Sequence, residues 1–293
     1  MSKLRNYMKS NNFVAKFGVK YLDDKLGGIT KSDLIIVGAR SGAGKSTLSN
    51  IIAMANTDKK LALFSLENFD GDDYAKECYY AYIKLTKNYD LDMRRFMAGA
   101  YNISDNELKH IEAMADKKLS HIKLISRTSG YNVTKLKNDM ISAVANDGCK
   151  LLIIDHLDYL DKDRSGDNDV THMSQLMKTI RELQDEWGVA VIAVSHLRKP
   201  ANAKQMPVVP SVDEFIGSSN KVKEATSVIM FAPDDKENEE NSGSHLRSTW
   251  CCVRKLRNGG IDNKTARMMF NTRTGLYEED HSIHTVSYTG DVV

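Results

Sequence analysis

The chain has 293 residues, 41% of them hydrophobic and 27% charged, so it can bury a sizeable core and has the composition of an ordinary globular protein. Its 41 basic and 39 acidic residues leave a net charge of +2, which excludes a uniformly basic nucleic-acid coat but not basic loops gathered on one surface. The sequence contains no apolar run of the roughly 18 residues that span a bilayer, no h-region in its opening MSKLRNYMKSNNF and no C-x-x-C pair, so Cys78, Cys149, Cys251 and Cys252 read as core thiols of a cytoplasmic protein.

Residues 1 to about 20 form an amino-terminal arm in which Leu4, Tyr7 and Met8 fall at helical spacing. A helix this short is marginal without a surface to dock on, so an oligomerisation helix and a frayed terminus both remain open. Residues 21–293 are expected to form one domain. Its first apolar run, Asp33–Gly38, leads through a glycine-rich turn into a helical stretch at Lys45–Ala55. Further apolar runs follow at Leu61–Leu66, His121–Ile125, Leu151–Ile154, Val189–Val194, Ser227–Phe231, Trp250–Leu256 and Ala266–Phe270. Helical stretches at Asp72–Leu85, Val133–Asn146 and Met173–Glu186 separate the earlier ones. The runs are nearly continuous rather than alternating, as in parallel strands covered on both faces. Strand–helix–strand repetition predicts an α/β domain with a mostly parallel sheet, and the closely spaced last strands predict an antiparallel extension. The polar, acidic segment Pro233–His245 reads as an exposed loop.

Residues 38–47, GARSGAGKST, stand between the run LIIV and a helix. In such a turn successive backbone N–H groups converge on an anion, and the following helix aims its positive end at the same place. The nucleotide-binding candidates are Ser41, Gly42, Ala43, Gly44, Lys45, Ser46 and Thr47, with Lys45 on the terminal phosphates and the Ser46 hydroxyl on magnesium. One departure is Ala39, which stands where the strict G-x-x-x-x-G-K-[ST] spacing asks for its first glycine.

Hydrolysis also needs a metal-orienting acid and a base for water. Asp155 closes the run LLIID and so falls at the carboxyl end of the sheet, where open α/β folds place ligands. There it would join Ser46 in holding magnesium. Glu67 ends LALFSLE; with that strand beside the phosphate-loop strand, it would face the terminal phosphate and orient the attacking water. Asp158 is the next carboxylate that could act as base. His196 ends VAVIAVSH, where a histidine could bond the terminal phosphate; a satisfied core histidine is the plainer reading. Lys255 and Arg257, two residues apart on a strand, project from one face. Either a solvated edge or an arginine finger would place them so.

In this order the blocks LDDKLGGITKSDLIIVGARSGAGKST, FSLE, LLIIDHLDYL, VIAVSHLRKP, EFIGSSNKVKEATSVIMF and RKLRNGG resemble the helicase domain of DnaB-type replicative helicases, above all that of phage primase–helicases and their mitochondrial relatives. The resemblance runs from Leu22 to Tyr277. It implies a RecA-like phosphate-loop ATPase fold, a homo-oligomeric ring, expected to be a hexamer, and 5′-to-3′ movement along single-stranded DNA driven by ATP, or another nucleoside triphosphate, with Mg2+. It also implies Glu67 as catalytic base, Asp155 at the metal, His196 as a γ-phosphate sensor, Lys255 and Arg257 reaching a neighbouring subunit's site, and Phe270 stacking on the nucleotide base, where a core aromatic is the alternative reading. Family members line a central channel with loops after the Asp155 and His196 strands. In this chain those loops carry Lys162 and Arg164, and the DNA-binding candidates Arg198, Lys199, Lys204, Gly217, Ser218, Ser219 and Asn220. No primase domain or large collar precedes residue 20, so priming is expected from another protein, and a separate loader or polymerase is a further possible partner. A filament-forming recombinase-type ATPase and an ATP-gated regulator or loader that does not unwind are the alternatives.

Overall fold

The computed structural model describes residues 13–40, 43–68, 70–161, 169–198, 209–215, 218–240, 243–257, 264–272 and 276–285. In chain order the elements are β1 (Phe13–Ala15), α1 (Lys20–Leu26), β2 (Ile29–Thr30), β3 (Leu34–Ala39), α2 (Lys45–Ala55), β4 (Leu61–Ser65) and α3 (Asp72–Thr86). They continue with α4 (Met93–Met97), α5 (Asp105–Leu119), β5 (Ile122–Ser126), α6 (Val133–Ala145), β6 (Leu151–Asp155), α7 (Asp169–Trp187) and β7 (Ala190–His196). Last come α8 (Ser218–Glu224), β8 (Ser227–Pro233), α9 (Asp235–Glu240), β9 (Leu246–Leu256), β10 (Lys264–Asn271) and β11 (Leu276–Thr285).

Among the described residues the eight apolar runs, joined by β11, form one nine-stranded sheet in the order β11-β10-β9-β8-β3-β7-β6-β4-β5. From β8 through β5 the neighbours are parallel, whereas β8, β9, β10 and β11 pair antiparallel, as their short connections require. The runs are continuous because the central strands β3, β4, β6, β7 and β8 are buried on both sides. Leu34, Ile36, Leu152 and Ile154 face one core, packed with Leu136 and Met140 of α6 and Leu176, Met177 and Ile180 of α7. Ile35, Val37, Leu151 and Ile153 face the other, with Leu48, Ile51 and Ile52 of α2. Each such side chain, fully buried, contributes about 1.5–3 kcal/mol. A separate small cluster joins α3 to α5 through Cys78, Tyr82, Ile111 and Ala115, with Phe96 of α4 packed against it.

Several expectations change. β4 does not lie beside β3, because β7 and β6 fill the space between them. Both of those strands are apolar on both faces, so both need covered, central positions. The segment Pro233–His245 is not simply a loop, since it contains α9. Its Asn238 amide donates to the Ser248 carbonyl at 3.0 Å and its carbonyl oxygen accepts from the Ser248 N–H at 2.7 Å, which folds the segment onto β9. Helix α5 was not anticipated, although its start carries a capping box in which Ser104 and Glu107 satisfy one another's backbone N–H groups. At the amino terminus Ala15, Phe17 and Val19 are buried in the α2-side core, while Leu4, Tyr7 and Met8 lie outside the described residues. All of the cysteines are buried and free.

Candidate nucleotide site

Strands β3, β7, β6 and β4 run parallel, so their carboxyl ends deliver side chains to one edge. β3 leads into the phosphate loop. There the Arg40 N–H donates to the Phe231 carbonyl at 3.2 Å and the Ala43 N–H to the Arg40 carbonyl at 3.1 Å. Gly38 is needed because a Cβ at that position would stand 2.5 Å from the Phe215 ring. Gly44 adopts φ +81° as it opens α2, and a Cβ on it would collide with the Tyr277 hydroxyl. Lys45, Ser46 and Thr47 then form the first turn of α2. Ser41 and Gly42 lie outside the described residues.

Asp155 ends β6 and is buried, with its Oδ1 accepting no hydrogen bond. Burial pushes its carboxyl up; a Ser46 hydrogen bond and the charges of His156 and Lys45 pull the other way, and nearby Glu67 adds to the rise. His196 ends β7 opposite Ala39 of β3, with its Nε2 unpartnered. Burial first, then the His156 and Lys45 charges, holds this imidazole below the ordinary histidine value. Glu67 arrives from the far side of β6: the Leu66 N–H donates to the Asp155 carbonyl at 2.7 Å, which sets the chain as it leaves β4. Its Oε2 lies 3.6 Å from His156 Nε2, and its side chain remains 42% exposed, open to a ligand.

His156 and Asp158 were not foreseen in these roles. The buried His156 ring stands 3.9 Å from that of His196, centroid to centroid, and its Nδ1 is 3.4 Å from Asp158 Oδ2. One ligand atom from each of Glu67, His156 and His196 lies within 4.8 Å of the others, so these groups face a common point. Asp158 is no reserve base, because its carboxylate is committed elsewhere. It accepts the His196 N–H at 2.7 Å, the Ser195 hydroxyl at 3.1 Å and the Lys221 ammonium at 3.0 Å. Burial opposes its charge, but the His156 ring beside it, the Lys221 charge and the His196 N–H prevail, and the carboxyl is held well below the usual range.

Lys255 and Arg257 do share a side, as their spacing predicts, but within this chain both turn to the end of α8. Lys255 Nζ donates to the Val222 and Ala225 carbonyls at 2.6 and 2.7 Å, and Arg257 Nη2 to that of Glu224 at 3.2 Å. Burial and the Arg257 charge lower the Lys255 ammonium. Phe270 pairs with Tyr277 across β10 and β11, their rings edge-on at 5.6 Å, and the Tyr277 hydroxyl donates to the Ala43 and Gly44 carbonyls at 3.3 Å. Arg198 is exposed, its N–H donating to the Glu214 carbonyl at 2.7 Å. The Glu214 carboxylate in turn holds Arg40 with both oxygens, at 3.0 and 3.2 Å. Ser218, Ser219 and Asn220 begin α8. Lys162, Arg164, Lys199, Lys204 and Gly217 lie outside the described residues.

A phosphate loop at the carboxyl edge of a mostly parallel sheet, with an antiparallel extension, defines a RecA-like ATPase fold. The model of the DnaB-like helicase C-terminal domain family matches residues 15–279, and the chain belongs to that family. It is 26% identical to the replicative DNA helicase DnaB of Haemophilus influenzae over 283 residues, covering 95% of this chain and 57% of that protein. Against the replicative DNA helicase DnaC of Bacillus subtilis it is 25% identical, covering 83% and 52%. The chain thus spans a little over half the length of these relatives. Among solved structures, an isolated ATPase domain superimposes with a TM-score of 0.75 at 18% identity, covering 94% of this chain and 95% of that one. A DnaB-like replicative helicase studied for its interactions with primase gives 0.72 at 17%, covering 94% and 64%. Among the described residues no helix is long and apolar enough to cross a membrane.

Proposed function

We propose that this chain is the motor of a replicative helicase, which hydrolyses ATP to move 5′-to-3′ along single-stranded DNA as a ring of identical copies, six by family resemblance. The observation that carries the proposal is the meeting of Lys45, Asp155, His196 and Glu67 at one sheet edge, from separate elements of the fold. Lys45 supplies a point charge for the terminal phosphates, beside the loop formed by Ser41, Gly42, Ala43, Gly44 and Thr47. The donor set fits magnesium: the buried, unpartnered Asp155 Oδ1 and the Ser46 hydroxyl beside that carboxylate are hard oxygen ligands. Magnesium, when bound, neutralises charge on the phosphates. Glu67 is open to solvent and takes a proton from the attacking water; His196 bonds the terminal phosphate and registers its loss. Phe270 packs against the nucleotide base.

Lys255 and Arg257 are assigned to the site of the neighbouring subunit, where Arg257 stabilises charge on the transferring phosphoryl group. Arg198, Lys199, Lys204, Gly217, Ser218, Ser219 and Asn220 are assigned to the DNA backbone, in the cytoplasm where the DNA is copied. A primase is the favoured partner, since one of the similar structures is of a helicase studied with primase.

The direct test is unwinding of a forked duplex by purified protein with Mg-ATP. Unwinding on a 5′ tail, with rings in electron microscopy, is expected; filaments or strand pairing without unwinding would replace the helicase reading with a recombinase. Mixing Arg257→Ala with Glu67→Gln subunits tests the finger. Each variant alone should lose activity, about 10³–10⁵-fold for the finger. Co-assembled rings should recover part of it, and no recovery would confine Arg257 to its own subunit.

A further inference from the structure

Lys221 has no exposed surface, which is rare for a lysine. Its ammonium reaches Asp158 Oδ1 at 3.0 Å and the Ser195 hydroxyl at 2.6 Å. Burial lowers it below the ordinary lysine value, with Asp158 opposing the fall.

The contact joins segments that chain order keeps far apart. Asp158 lies in the 3₁₀ turn Leu157–Tyr159, directly after Asp155 and His156, and leads toward residues 162–168. Ser195 and His196 end β7 and lead to Arg198. Lys221 lies on α8, which begins at the DNA-binding candidate Ser218 and whose last carbonyls hold Lys255 and Arg257. One carboxylate therefore ties the root of every segment assigned to DNA to the backbone N–H of His196. Moving α8 away would strand a charge in the core, so α8 and the His196 backbone move together or not at all.

We propose that Lys221 is a positioning residue that, through Asp158, couples the DNA-contacting end of α8 to the placement of His196, so that DNA engagement sets the rate of hydrolysis. This rests on the helicase reading above. The rival view is a structural pair that holds the fold and transmits nothing. Lys221→Met conserves much of the volume and removes the charge. Lys221→Met combined with Asp158→Asn removes both charges, and so avoids the lone buried carboxylate that could unfold the single variant.

Full-length variants are assayed for ATP hydrolysis with and without a single-stranded oligonucleotide, alongside oligonucleotide binding by anisotropy. Coupling between sites typically amounts to about 5–150-fold. Wild type should show stimulation in that range. Both variants should bind the oligonucleotide within about threefold of wild type yet lose the stimulation, and Lys221→Arg should restore part of it. Stimulation retained in the double variant would overturn the proposal while leaving the helicase reading intact. A wild-type enzyme that oligonucleotide does not stimulate would instead overturn the helicase reading, and the coupling with it.

Discussion

Around Asp155 several buried polar atoms make no hydrogen bond within the chain, whereas the Asp158 carboxylate, three residues on, is saturated. Asp155 Oδ1, both ring nitrogens of His156 and Nε2 of His196 are covered and make no hydrogen bond. The Asp158 carboxylate is ringed by Lys221, Ser195 and the His196 N–H. A buried polar atom without a partner costs about 1–3 kcal/mol, so folding alone would not keep such a group. The first cluster gathers polar atoms that the chain itself does not bond, at the edge where the phosphate loop opens; the second is bonded to the chain. The contrast separates a site from its support, and it predicts opposite signs for similar substitutions.

The largest effect is expected at Asp158. Asp158→Ala leaves the Lys221 ammonium buried without its counter-charge, with only the Ser195 hydroxyl for a partner, and should cost about 3–5 kcal/mol in urea unfolding. A loss under about 1 kcal/mol would erase the contrast, because the supporting cluster would then be no better satisfied than the site. Low pH should act in the same direction. The folded Asp158 carboxyl lies below its ordinary 3.8, so its contribution is complete above that value and is lost as pH falls through the folded one.

Asp155→Asn should do the reverse. It removes a carboxylate charge that burial disfavours and whose Oδ1 makes no hydrogen bond, and stability should rise by up to about 1–3 kcal/mol while hydrolysis is lost. Calorimetry gives the sign, and a lower midpoint would show Asp155 to be supporting structure.

The smallest effect concerns His196. Its folded pKa lies below the ordinary 6.5, so the unfolded chain binds more protons as pH falls past that value. Its contribution to stability is present above 6.5 and lost between there and the folded value. Wild type should therefore lose more of its thermal midpoint over that window than His196→Gln does. Parallel curves would place His196 in solvent.

The sequence discloses the site better than the support. Lys45, Ser46, Asp155 and His196 are legible because each falls at a fixed offset from a strand that is apolar throughout, and strand direction does the rest. Glu67 is legible as a strand-end carboxylate, but from a strand expected beside β3; the sheet order that brings it to the edge across β6 leaves no trace in local pattern. Lys221 is hidden for a different reason. A lysine in the polar stretch SSNKVKE reads as a solvated cation, and its burial depends on a carboxylate 63 residues earlier. Tyr277 lies on β11, a strand whose polar YEED stretch masks its period. Its contact with the phosphate loop spans 234 residues to Ala43.

The central claim, that this edge hydrolyses nucleotide with Glu67 as base, is tested most directly by Glu67→Gln, with ATP binding and single-turnover hydrolysis measured on the same preparation. The glutamine keeps the size of the side chain and cannot accept the proton. Binding should stay within a few-fold of wild type while hydrolysis falls about 10²–10⁴-fold. Hydrolysis at the wild-type rate, with binding unchanged, would contradict the claim.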